Sequence, residues 1–158
     1  AVPSRLLGAG HSAGIVVAID EVATAHGLLD FAFDAARRRG LPLHVLHAAG
    51  VPSDYTHRYG QRLRLEDLVD DRRRDCPDVR VDAVVEAGWP VQACLAASFS
   101  ATMLVVGQPE GGHPRLSARA TALRLVRRSA CPVALVPLHR QDTTPSVHGR
   151  EREPLTST

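Results

Sequence analysis

Gly14-Ile15-Val16-Val17-Ala18-Ile19-Asp20 is a continuous apolar run with a glycine at one end and a carboxylate at the other. Such a run suits a strand covered on both faces. The period changes directly after it. Ala25, Leu28, Leu29, Ala32, Phe33, Ala35 and Ala36 recur at spacings of three and four, which predicts an amphipathic helix. Arg37-Arg38-Arg39-Gly40 closes that helix, with cations in the last turn and a glycine for the left-handed position beyond it. Pro42-Leu43-His44-Val45-Leu46-His47-Ala48 is then a second strand. Strand, helix and strand with short joins make a right-handed βαβ unit.

The rest of the chain repeats the alternation. Residues 49–60, with Gly50, Pro52, Ser53, Asp54 and Gly60, read as a loop. A charged amphipathic helix over 61–75 uses Leu63, Leu65, Leu68 and Val69, and Cys76-Pro77-Asp78 stops it. Val79, Val81, Ala83 and Val85 alternate as an outer strand, and Gly88-Trp89-Pro90 turns the chain into a short helix from Val91 to Ser100. Met103-Leu104-Val105-Val106-Gly107 is another buried strand. A Gly- and Pro-rich loop, Gln108 to Pro114, leads to a helix around 117–129, and Cys131 to Pro137 forms the last strand. The order βαβαβαβαβ predicts one α/β domain, a five-stranded parallel sheet doubly wound into three layers, over residues 14–137. Residues 1–13 read as a linker or leader, and 138–158, polar and without apolar period, as a disordered tail. Ligands of such sheets sit at the carboxyl ends of the strands, where the strand order reverses. Those ends are the loops after the first and fourth strands, with Asp20 and Gly107.

Composition narrows the function. With 158 residues, 44% hydrophobic and 23% charged, the chain has the makeup of a soluble globular domain. It has no apolar run near the ~20 residues of a membrane span. Three scattered cysteines, Cys76, Cys94 and Cys131, fit neither a disulfide framework nor a zinc site, and point to the cytoplasm. All 19 basic residues are arginine, so there is no lysine for a P-loop or a Schiff base. A net charge of +2, with arginines clustered at helix ends, does not suggest a nucleic-acid partner.

Few motifs carry chemistry. Gly10-His11-Ser12-Ala13-Gly14 matches the nucleophile elbow G-x-S-x-G, but it precedes a strand, whereas the elbow needs a strand feeding into it. His44 and His47, three apart on a strand, point to opposite faces and do not suit a shared metal. No metal site and no base–nucleophile pair is visible, so the chain does not read as an enzyme. Asp20 has two readings: a capping or turn-forming carboxylate for the next helix, or an acceptor for a ribose hydroxyl or adenine amine. Gly107 likewise is either the turn residue after a buried strand or a point where backbone N–H groups approach a phosphate.

Several segments together resemble the universal stress protein family: Val16-Val17-Ala18-Ile19-Asp20, Leu29 to Gly40 with Pro42 to Ala48, Leu104-Val105-Val106-Gly107, and Ser129 to Pro137. The resemblance implies the adenine nucleotide alpha hydrolase-like fold. Phe31-Ala32-Phe33 is similar to the second domain of tandem members. Nucleotide-binding members carry G-x-x-G, nine residues, then G-[ST]. This chain has Gly107-Gln108-Pro109-Glu110, nine residues, then Ala120-Thr121, so one glycine of three is kept along with the hydroxyl of Thr121.

The resemblance therefore implies a dimeric signalling or stress-response module with a degenerate nucleotide loop and weak or no ATP binding. The alternative is an adenine-nucleotide (ATP)-binding member. Its ribose and adenine contacts would fall at Ala18, Ile19, Asp20 and Ala48, and its phosphate contacts at Val106, Gly107, Gln108, Pro109, Ala120 and Thr121. The apolar last strand, Val133 to Val136, is expected at a sheet edge, pairing with a second copy or a tandem sister domain.

Overall fold

The computed structural model describes residues 13–20, 25–48, 55–86, 88–109 and 116–138. The order is β1 (Ile15–Ile19), α1 (His26–Arg39), β2 (Leu43–Ala48), α2 (Tyr55–Asp75), β3 (Val81–Glu86), α3 (Pro90–Ser98), β4 (Met103–Pro109), α4 (Leu116–Arg128) and β5 (Val133–Leu138). The strands form one sheet in the order β3-β2-β1-β4-β5, with every neighbouring pair parallel. The order reverses between β1 and β4, so their carboxyl ends flank the switch point.

Period 2 along the strands divides the interior between two layers. Ile15, Val17 and Ile19 of β1, with Leu43, Val45 and Val105, pack against Leu29 and Phe33 of α1 and Leu65 and Val69 of α2. Val16, Leu46, Leu104 and Val106 face the opposite way, against Ala93, Cys94 and Ala97 of α3 and Leu125 of α4. Ser98, buried at the end of α3, is satisfied twice over. Its hydroxyl donates to the Leu95 carbonyl at 2.7 Å and accepts from the Ala130 N–H at 3.0 Å, tying α3 to the turn before β5.

The βαβ reading holds in detail. Gly40 takes φ 61°, ψ 33° after α1, and the Gly40 and Leu41 N–H groups close the helix on the Arg37 and Ala36 carbonyls. Helix α3 and strand β5 end or begin one or two residues from the sequence reading, at Pro90–Ser98 and Val133–Leu138, and three boundaries differ in more telling ways. Helix α2 starts at Tyr55 and runs through Gly60, a residue that costs a helix about 1 kcal/mol without ending it. Strand β3 starts at Val81, because Val79 is held in a turn by its N–H bond to the Cys76 carbonyl. Strand β4 does not stop at Gly107. Gln108 and Pro109 continue it, in register with Pro137 and Leu138. The leader and the tail lie outside the described residues, except that Ala13 is exposed and Leu138 closes β5.

The two edges of the sheet are built differently. The Leu43 N–H bonds to the Arg80 carbonyl, so the backbone groups of Val81 face outward on the β3 side. There Arg73 of α2 donates to the Val81 carbonyl at 2.6 Å while pairing with Asp70, also at 2.6 Å. On the other edge the Leu104 N–H bonds to the Pro132 carbonyl, so Val133, Leu135 and Pro137 face outward. Pro137 lacks only an N–H that the ladder would not have used.

Candidate functional site

The carboxyl edge of the sheet gathers most of the residues singled out from sequence. Ala18 and Val106 are register partners on β1 and β4. Both lie on the α3–α4 side, as does half-buried Ala48 at the end of β2. Ile19 is buried on the opposite side, against α1. Asp20 is exposed in a bend just past β1. The capping reading of Asp20 does not hold, because α1 begins at His26 with Ala25 as its N-cap residue and no side-chain capping bond. The turn-forming reading falls on residues 21–24, which lie outside the described residues.

His47 sits beside this edge. It is 3% exposed, pairs in register with Ile19, and holds its Nδ1 2.8 Å from the Ile19 carbonyl oxygen. A carbonyl only accepts, so Nδ1 donates and carries the ring proton. Nε2 is buried, with no hydrogen-bond partner among the described residues. The bond anchors the residue immediately before Asp20. Sequence reasoning considered His47 only as a metal ligand and set it aside; its position one residue before Ala48 was the available signal.

The phosphate half is arranged differently. A Cβ added to Gly107 would lie 2.6 Å from Leu138 Cδ1 and 2.9 Å from Leu138 Cγ. The space that the glycine leaves open is therefore occupied by a β5 side chain. Gln108 and Pro109 belong to β4, not to a loop. Ala120 is exposed and Thr121 half-buried, and both lie beyond the first turn of α4, which starts at Leu116. Only the first few N–H groups of a helix are free to meet an anion, and those of Ala120 and Thr121 fall inside the hydrogen-bonded ladder. Glu110 lies outside the described residues.

Other sequence candidates fall elsewhere. Gly14, the last residue of the G-x-S-x-G run, is at the amino end of β1, where its carbonyl accepts from the Thr102 N–H, away from the switch point; Gly10, His11 and Ser12 are outside the described residues. His44 is half-buried, with Nδ1 3.6 Å from Asp82. Among the described residues no group of three or more His, Cys, Asp or Glu could hold a metal ion. Among them, too, no helix is long and apolar enough to cross a membrane. The cysteines Cys76, Cys94 and Cys131 are free thiols. Burial pushes the Cys131 thiol up from its ordinary value of 9.0, against a smaller opposing effect from a hydrogen bond with the Leu104 backbone.

A parallel sheet of this order, reversing between β1 and β4, defines a doubly wound α/β protein. A profile of the Universal stress protein family matches residues 14–137, and the chain belongs to that family. Universal stress protein Rv1996 of Mycobacterium tuberculosis is 27% identical over 148 residues, covering 85% of this chain and 47% of its own length. The chain thus spans about half the length of the curated relatives it matches. Two solved structures share the fold. The universal stress protein of Archaeoglobus fulgidus in complex with dAMP superposes with a TM-score of 0.60 at 20% identity, over 80% of this chain and 98% of that one. A universal stress protein in complex with cAMP gives 0.60 at 21% identity, over 82% and 100%.

Proposed function

We propose that this chain is a non-catalytic stress-response module of the cytoplasm that assembles through β5 and binds ATP weakly or not at all. The observation that carries the nucleotide half of this reading is that Ala120 and Thr121 lie inside α4, where their N–H groups belong to the helix ladder. Leu138, which packs beside Gly107 and takes the space its missing side chain leaves, gives that glycine a packing role that needs no phosphate.

The contrast between the sheet edges supports assembly through β5. The β3 edge is blocked at Val81 by Arg73, whereas the N–H and C=O groups of Val133 and Leu135 face outward. Leu135 is 37% exposed, and Leu123 and Val126 of α4, the helix on the same side of the sheet, are 52% and 50% exposed. Antiparallel pairing of β5 with a second copy would cover apolar surface and pair free backbone groups together. In a tandem protein the sister domain would make the same contact, a reading supported by the length of the mycobacterial relative.

The second reading, an adenine-nucleotide-binding member, is favoured by the dAMP and cAMP complexes of proteins with this fold. Calorimetry with ATP decides between them. The first reading expects affinity in the high micromolar range or weaker, and submicromolar binding would refute it in favour of the second. Sedimentation at tens of micromolar tests assembly: a dimer is expected, and Leu135→Asp should give a monomer. A wild-type monomer, or a Leu135→Asp dimer, would count against the β5 contact.

A further inference from the structure

The two halves of the carboxyl edge differ in what they leave open. On the phosphate half Leu138 fills the space beside Gly107 on the α1 side, and Ala120 and Thr121 lie within the ladder of α4, while the base half carries a large exposed aromatic. Trp89, the single tryptophan of the chain, is 66% exposed. An indole offers on the order of 150–250 Å² of mostly apolar surface, so leaving most of it in water is a cost that binding a flat ligand would remove.

Its place in the fold is set by β3. Glu86, the last residue of β3, pairs in register with Ala48, and Trp89 follows three residues later. Three residues of chain reach at most ~10 Å, so the indole is rooted close to the Ala48 end of the edge. The root is also rigid. Trp89 is extended at φ −79°, ψ 129°, the region that a following proline imposes, and Pro90 follows it. Its carbonyl accepts from the Ala93 N–H at 3.1 Å, which fixes it to the first turn of α3. Little backbone freedom remains to be lost when a planar group stacks on the ring.

We infer that Trp89 is a base-stacking residue, and that the ligand class this edge selects is the nucleoside: adenosine or its monophosphate, with no gain from further phosphates. The inference rests on the reading that an adenine compound reaches this edge at all. It differs from that reading in placing the recognition energy on the ring instead of the phosphate chain. Sequence-tolerant stacking on aromatic side chains is a common way for proteins to hold bases. Asp20, exposed at the end of β1, would then serve as the hydrogen-bond acceptor for the sugar or the amine.

The test titrates the full chain with adenosine, AMP and ATP, read by calorimetry and by the emission of Trp89, which no other tryptophan obscures. The three ligands should bind within about threefold of one another and all should change the emission. Trp89→Ala should weaken all three alike, by about 5- to 150-fold, the range that stacking energies convert to. Trp89→Phe should keep most of the affinity. Phe99→Ala is the control: Phe99 is 81% exposed but sits at the other end of α3, so binding should not change.

Adenosine binding with unchanged emission and unchanged affinity in Trp89→Ala would overturn the stacking role alone. ATP binding tenfold tighter than adenosine would overturn the nucleoside selectivity. Absence of heat with all three ligands at millimolar concentration would overturn the nucleotide reading itself, and this inference with it. Emission that shifts with protein concentration while none of the ligands alters it would show that the ring meets protein instead.

Discussion

Substituting Gly107 by alanine separates the two meanings of that glycine. If its missing side chain makes room for Leu138, the new Cβ must displace atoms it would otherwise approach to 2.6 and 2.9 Å. Overpacking of this kind costs about 1–3 kcal/mol. Leu138 is half-buried and has some room to turn outward, so the lower half of the range, about 1–2 kcal/mol, is expected. For a domain of this size that is a fall in Tm of roughly 3–10 °C by thermal melt. Leu138→Ala alone should also destabilise, by losing contacts with the α1-side core. Because the two residues share one space, the double variant should be more stable than the sum of the single effects predicts, by ~0.5–2 kcal/mol. A Gly107→Ala protein melting with the wild type would refute the packing account. If that variant instead kept its Tm but lost ATP binding, the glycine would be serving a phosphate.

Three further outcomes follow from other parts of the molecule. The Arg73→Ala variant should lose about 0.5–1.5 kcal/mol by denaturant titration and self-associate more readily by light scattering, because the outward Val81 carbonyl loses its cap; unchanged values on both would show that the bond matters little. Nitrogen-correlated NMR should find Nδ1 of His47 protonated, with a slowly exchanging proton, and an unprotonated Nδ1 would contradict the bond to Ile19. Cys131 binds its proton more tightly folded than unfolded, so its contribution is fully present below the ordinary pKa of 9.0 and is lost as pH rises beyond it. Wild type should therefore lose stability above pH ~9 more steeply than Cys131→Ala, and identical alkaline profiles would overturn this.

How much was legible in the sequence depended on whether a residue's role was local. The first βαβ unit was, because period, charge and Gly40 all act within a turn or two of chain. The end of β4 was not. Gly107 and Pro109 punctuate the sequence like a loop, and only pairing with β5, from residues more than twenty positions away, carries the strand on to Pro109. Gly60 misled in the same way inside α2, where the long helix absorbs a poor helix former. At the candidate site the central strands were placed well, since Ala18, Val106 and Ala48 do come to one side of one edge. Which of its two roles Gly107 serves was out of reach. A glycine before a loop reads the same whether a phosphate or a leucine takes its space, and the leucine comes from a segment read as tail.

The changes at the phosphate half are coupled. Between Gly107 and Ala120 the chain must end a strand, form a loop and start a helix. Once Gln108 and Pro109 pair with β5 and α4 starts at Leu116, only residues 110–115 are left to join them. A cradle needs free backbone N–H groups, but the pairing of β4 uses them on one side and the ladder of α4 uses them on the other. Restoring glycine at Glu110 and Ala120 would change two side chains and leave both of those commitments in place. A glycine inside α4 would cost the helix about 1 kcal/mol without freeing an N–H at the right place. The Leu138 side chain would still fill the space at Gly107. On the proposed reading of weak or no ATP binding, gaining a phosphate site would require shortening β4 and α4 together, and the strand that would have to give way is the one paired with β5, the proposed assembly edge.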